Sequence, residues 1–210
     1  MKCAISRCRL IPADARYPAI VTESVRNAAL SCSVGVMVPD NHIVESIRLK
    51  VREQIERTEH LIQLIPPARI EWNPQWPGGS FDTGHLLGHL LECLAGFCAV
   101  FYVVFPQQLE GMLELRSLPV NHFCKPDEAM RRIQAYARYI EEGFDLCGDE
   151  DLQRMLPTVF AISESVMTLL LGNLEHLINH KYQLFVYLKI LGVPVNSRDI
   201  FSWRGNASNE

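Results

Sequence analysis

Asn173-Leu-Glu-His176-Leu-Ile-Asn-His180-Lys-Tyr-Gln183-Leu-Phe-Val-Tyr-Leu-Lys-Ile-Leu-Gly192-Val-Pro194 is the segment on which the fold turns. Its apolar residues recur at helical spacing, and Gly192 and Pro194 close it. The helix expected there starts near Ser163 and runs to Leu191. His176 and His180 stand four positions apart in it, so both imidazoles leave one face. Asn173 shares that face, and Tyr187 lies two turns beyond His180. Gly172, mid-helix, costs roughly 1 kcal/mol relative to alanine and allows close packing.

A second segment repeats the device. His85-Leu-Leu-Gly-His89 falls in a helix expected from its cap, Asp82, to about Val104, with Pro106 as the stop. His85, His89 and Glu92 share a face, while Leu87, Leu90, Leu91, Leu94 and Phe97 fill the opposite positions. Four of the seven histidines are therefore spent in two couples. Burying several imidazoles without partners is costly, and a metal ion offsets that cost. If the two helices pack together, three or four ring nitrogens can converge on one ion. A nitrogen-rich set favours zinc, nickel or iron(II) over magnesium or calcium. Glu92 follows its histidine and Glu175 directly precedes His176, so the Glu-x-x-His pattern of carboxylate di-iron bundles fails. His42, His60 and His122 lack such company and are read as structural or exposed.

Two further helices complete the count. From Ile43 the positions Ile43, Ile47, Val51, Ile55, Ile62 and Ile65 make an apolar stripe, entered at Pro39-Asp40-Asn41 and ended by Pro66-Pro67. Pro126-Asp127-Glu128 opens the other, with carboxylates at the positive end of the dipole and a stripe of Met130, Ile133, Ala137, Ile140 and Phe144. Gly143 and Gly148 mark its fraying end. Residues 66–81, rich in proline and glycine, are a loop in which Trp72 and Trp76 either cover the core or wall a pocket. Residues 106–125 are a second irregular connection, and Pro157 to Ser163 is a short extended piece. The expected fold is all-α: a four-helix bundle with long crossover connections, spanning 39–195. Residues 1–38, basic through Arg7, Arg9, Arg16 and Arg26, are read as a flexible tail. A targeting peptide, or an upstream extension ahead of a start at Met37, are the alternatives. Residues 196–210 are read as a loose polar tail.

The chain has 210 residues, 48% hydrophobic, with a net charge of −4 and a pI near 6.0. That charge argues against nucleic-acid binding through a broad basic surface. Leu86 to Phe105 is the most apolar run, but Glu92 and the histidines make it a buried helix rather than a membrane span. Seven cysteines, an odd number at irregular spacing, read as free thiols in a reducing cytoplasm, with Cys93 and Cys98 as small core residues.

On these residues the sequence resembles the DinB/YfiT-like family over about 41–195. The resemblance rests on His176-x-x-x-His180, the basic residue after it, Gln183 and the Leu191-Gly192-Val193-Pro194 end. It rests also on Asp82-Thr-Gly-His85-Leu-Leu-Gly-His89-Leu90, with Asp82 in place of the usual serine. Asn179 and Tyr182 depart from the family's common residues, and residues 1–36 have no counterpart. The resemblance implies an up-down-down-up bundle with a metal held by His89, His176 and His180, zinc or nickel first and iron also admissible. It leaves His85 as a replacement ligand, a substrate contact or a residue behind the ligands. It also implies a low-molecular-weight thiol cosubstrate and an S-transferase or related detoxifying activity on a small molecule. The competing expectation is a non-enzymatic bundle that binds a metal or small ligand, with a closed four-ligand shell including His85. A homodimer through a spare helix face is compatible with either.

Overall fold

The computed structural model describes residues 41–77, 79–157 and 163–203; the expectations for residues 1–38 lie outside them. Four long helices form the frame: α1 (His42–Gln63), α2 (Thr83–Val104), α4 (Pro126–Leu146) and α5 (Val166–Ile190). Short helices α3 (Met112–Arg116) and α6 (Ser197–Phe201) lie in the second connection and after α5. The fold is an all-α bundle. Two short strands, β1 (Met155–Pro157) and β2 (Ser163–Ser165), pair antiparallel with Leu156 opposite Glu164. The sequence showed only an extended piece there, because three-residue strands are too short to carry a period.

α2 is the central helix and packs on both α4 and α5, as does α1. Leu86, Leu87, Leu90, Leu91, Leu94, Phe97 and Phe101 are all almost fully buried, which accounts for the apolar composition of α2. It is long and apolar enough to cross a membrane by composition, and it is used as the core.

The helix ends depart from expectation in instructive ways. Asn41 makes no side-chain cap to α1. Instead Asp149, beyond the end of α4, accepts from the backbone N–H groups of Ile43 (3.2 Å) and Val44 (2.8 Å). A distant carboxylate thus satisfies the positive end of α1. Gly143 does not fray α4: a Cβ there would stand 2.3 Å from Phe101. Gly172 has nothing near it, so it is not the close-packing glycine. That role falls to Gly96 on α2, where a Cβ would stand 2.3 Å from Asn173 Oδ1 on α5.

Of the expected loose tail, residues 196–203 are described, and they fold back. Asn196 and Asp199 form a capping box on α6. Arg57 donates to the carbonyls of Phe201 (2.5 Å) and Trp203 (3.4 Å), and Lys181 to that of Ile200 (3.3 Å). His60 pairs with Asp199 at 2.8 Å and stacks on Trp203. Arg57 on α1 and Lys181 on α5 are buried, and the carbonyls of this segment are among their acceptors.

Candidate metal centre

α2 and α5 cross closely at Gly96 and Asn173, and the histidines lie nearby on the facing sides. His89 Nε2 is 3.0 Å from His180 Nε2 and 3.1 Å from His176 Nε2. The three nitrogens fall within 4.8 Å of one another. Two nitrogens each about 2.1 Å from a common ion sit about 3.0–3.4 Å apart for ligand angles between about 90° and 109°. The observed spacing therefore fits one transition-metal ion, and the three-histidine group is able to hold one.

The hydrogen bonds behind the rings decide which nitrogen is bare. Tyr187 Oη donates to the carbonyl of Phe81 at 2.8 Å, since that carbonyl only accepts. Burial first of all raises the Tyr187 phenol above its ordinary range, keeping it protonated. The phenol oxygen then accepts from Gln183 Nε2 (3.0 Å), leaving Gln183 Oε1 to accept from His180 Nδ1 (2.9 Å). The proton of His180 is thereby placed on Nδ1, and Nε2 is a lone pair. On His89, Nδ1 faces Asn121 Oδ1 (2.5 Å) and the Glu92 carboxylate (2.9 Å), both acceptors, so its Nε2 is bare as well. Two lone pairs facing each other across 3.0 Å repel; a cation between them turns repulsion into ligation. Burial, then the neighbouring His89 ring, holds His176 below the ordinary imidazole range. Burial lowers His180 too, against the opposite pull of its Gln183 bond. Neutral imidazoles are what ligation requires.

His85 stands outside the three-nitrogen group. Asp82 takes both its backbone N–H and its Nδ1 proton, each at 2.8 Å, and the half-exposed ring lies edge-on to Phe123. Tyr187 serves the site through Gln183 rather than facing it. Asn121 and Phe81 were not found from sequence. Asn121 comes from the irregular 106–125 connection, at a positive φ of 56° that asparagine tolerates, with its N–H on the carbonyl of Gly88. Phe81 stacks on His89 with ring centroids 5.0 Å apart. The only available signal was an aromatic next to the α2 cap.

The tryptophans do both things that the sequence left open. Trp72 is half-buried; its carbonyl caps α2 by accepting from Thr83 N–H, and its ring meets Tyr187 edge-on. Trp76 lines an open recess of about 400 Å³ with Gly79, Ser80, Phe81 and Gln183. Phe81 and Gln183 both touch site histidines, so this recess adjoins the centre. A more apolar cavity of about 370 Å³ beside α3, lined by Ala95, Ala99, Met112 and Tyr136, includes none of these groups.

Fold and site together define a helical bundle with a three-histidine group suited to a metal. No family model matches the sequence, and no curated protein matches it. Among solved structures it is similar to a DinB-like protein, YjoA, from Bacillus subtilis: 19% identity, TM-score 0.53, covering 70% of this chain and 92% of that one. It is also similar to a protein assigned to the DinB family from Exiguobacterium sibiricum: 20% identity, TM-score 0.55, covering 74% and 96%. The chain has the DinB-like fold.

Proposed function

We propose that the protein is a metal-dependent enzyme of the DinB type that joins a low-molecular-weight thiol to a small electrophile. The observation that carries this reading is the convergence of three ring nitrogens, with no fourth protein donor in the group among the described residues. Three protein ligands leave positions for a small molecule, as a catalytic rather than a structural site requires. A bound divalent ion, zinc or nickel before iron, supplies Lewis acidity that lowers the pKa of a thiol. In the overall reaction the S–H proton leaves, a sulfur–carbon bond forms, and the electrophile's leaving group departs with its electron pair. The chain's own residues do the rest. Gln183, Asn121 and Glu92 fix the ligand rings. Trp76 and Phe81 offer an apolar wall to the electrophile and shed water from it. His85 donates its Nδ1–H to Asp82, which leaves Nε2 as the ring's acceptor atom.

Elemental analysis of protein purified without an affinity tag tests the centre. We expect a transition-metal ion that depends on His89, His176 and His180, lost in each single alanine variant. Full metal retention in the triple variant would overturn the reading. A screen of small thiols with alkylating electrophiles tests the chemistry, with thiol consumption abolished in the same variants. Intact metal without thiol-dependent turnover would favour the non-enzymatic bundle.

A further inference from the structure

We infer that His122, Cys124 and Glu128 form a second cation site, for a zinc-class divalent ion, separate from the three-histidine centre. Their ligating atoms, one from each residue, lie within 4.8 Å of one another. They offer nitrogen, sulfur and oxygen, a mixture that zinc accepts and that magnesium and calcium do not.

The main chain holds this group in place. Cys124 N–H donates to the carbonyl of Gly84 at 3.0 Å, and Asn121 N–H to that of Gly88 at 3.1 Å. Between them His122 lies against Gly88. Glu128 stands in the first turn of α4. The donors thus come from backbone already fixed against α2 and α4, and little ordering is left for the ion to do.

The ligating nitrogen of His122 is Nε2, 2.9 Å from Glu128 Oε1. Two ligands each about 2.1 Å from one ion sit about 3.0–3.4 Å apart, so the ion takes the place of the hydrogen that this pair shares. Arg132 Nη1 lies 3.5 Å from the same carboxylate. Cys124 is fully buried, which suits a ligand and not a reactive surface thiol. Its proton leaves when the ion binds, so affinity rises with pH.

Cobalt(II) added to the metal-stripped full chain distinguishes the two centres. A three-histidine site contains no sulfur, so a thiolate-to-cobalt charge-transfer band in the near ultraviolet reports only a cysteine ligand. We expect that band in the wild type, its bleaching by zinc, and its loss in Cys124→Ser. His122→Gln should weaken cobalt binding at this band at least tenfold. The band should persist in the His89→Ala/His180→Ala variant, so failure of the first centre leaves this test intact. A wild type without the band, or a band that survives in both Cys124→Ser and His122→Gln, overturns the proposal. Circular dichroism identifies a variant that does not fold; His122→Gln, at a half-buried position, then decides alone.

Discussion

The main chain of His122 rests directly on Gly88: a single carbon added to Gly88 would stand 1.9 Å from the His122 carbonyl oxygen. This contact lets Asn121, one residue earlier, reach the ring of His89, one residue later. Glycine in His85-Leu-Leu-Gly88-His89 is therefore part of the centre although it binds nothing.

Gly88→Ala should destabilise the protein by about 1–3 kcal/mol or more, the usual range for overpacking, and should weaken metal binding as Asn121 is pushed off His89. Gly172→Ala, with open space around it, should instead stabilise by about 0.5–1 kcal/mol. Urea unfolding of the metal-stripped variants measures both. Equal effects would show that local helix propensity, not the approach of His122, governs Gly88.

Gln183→Leu should lower metal affinity by about 10–100-fold, because His180 loses the acceptor that fixes its tautomer. Gln183→Glu keeps an acceptor and should retain most of the affinity. Competition with a chromogenic chelator gives the dissociation constants. If glutamate is as damaging as leucine, the tautomer account fails.

Stability should fall at alkaline pH. Burial, as the main cause, pushes the thiols of Cys93, Cys98, Cys124 and Cys147 to about 12 from an ordinary 9.0. Between those values the unfolded chain releases protons that the native one keeps, so each thiol withdraws up to about 1.4 kcal/mol per pH unit. Lys181 acts oppositely: burial, then Arg57, lowers it to about 8 from 10.5, which favours the native state as pH rises across that interval. Four thiols outweigh one amine, so the urea midpoint of metal-free protein should decline above pH ~9. Cys98→Ala should shallow that slope, and a flat profile to pH ~11 would refute the argument.

Ending the chain at Val195 should destabilise it by about 2–4 kcal/mol, since buried Arg57 and Lys181 would lose carbonyl acceptors and His60 its carboxylate. Thermal unfolding reads this directly. An unchanged midpoint would mean that water replaces α6 at no cost.

The helices and the two couples were legible because a 3.6-residue period and an i, i+4 pair are local. What was not legible depends on contacts distant in sequence. Asp149 caps α1 from beyond α4, Asn121 reaches His89 from a connection with no pattern, and α6 docks through backbone carbonyls that no side chain advertises. His122 looked solitary because its partners, Cys124 and Glu128, are not helical neighbours of it. Gly172 was misjudged because a glycine's sequence position does not reveal what stands opposite it.

The relay from His180 through Gln183 and Tyr187 ends on the carbonyl oxygen of Phe81, a main-chain atom that no substitution deletes. Position 81 thereby serves the histidine group twice: its backbone anchors His180 through Tyr187 and Gln183, and its ring stacks on His89 while lining the recess. Replacing the Phe81 ring would alter the recess and the packing of His89 together, while the orientation of His180 stays anchored in the polypeptide itself.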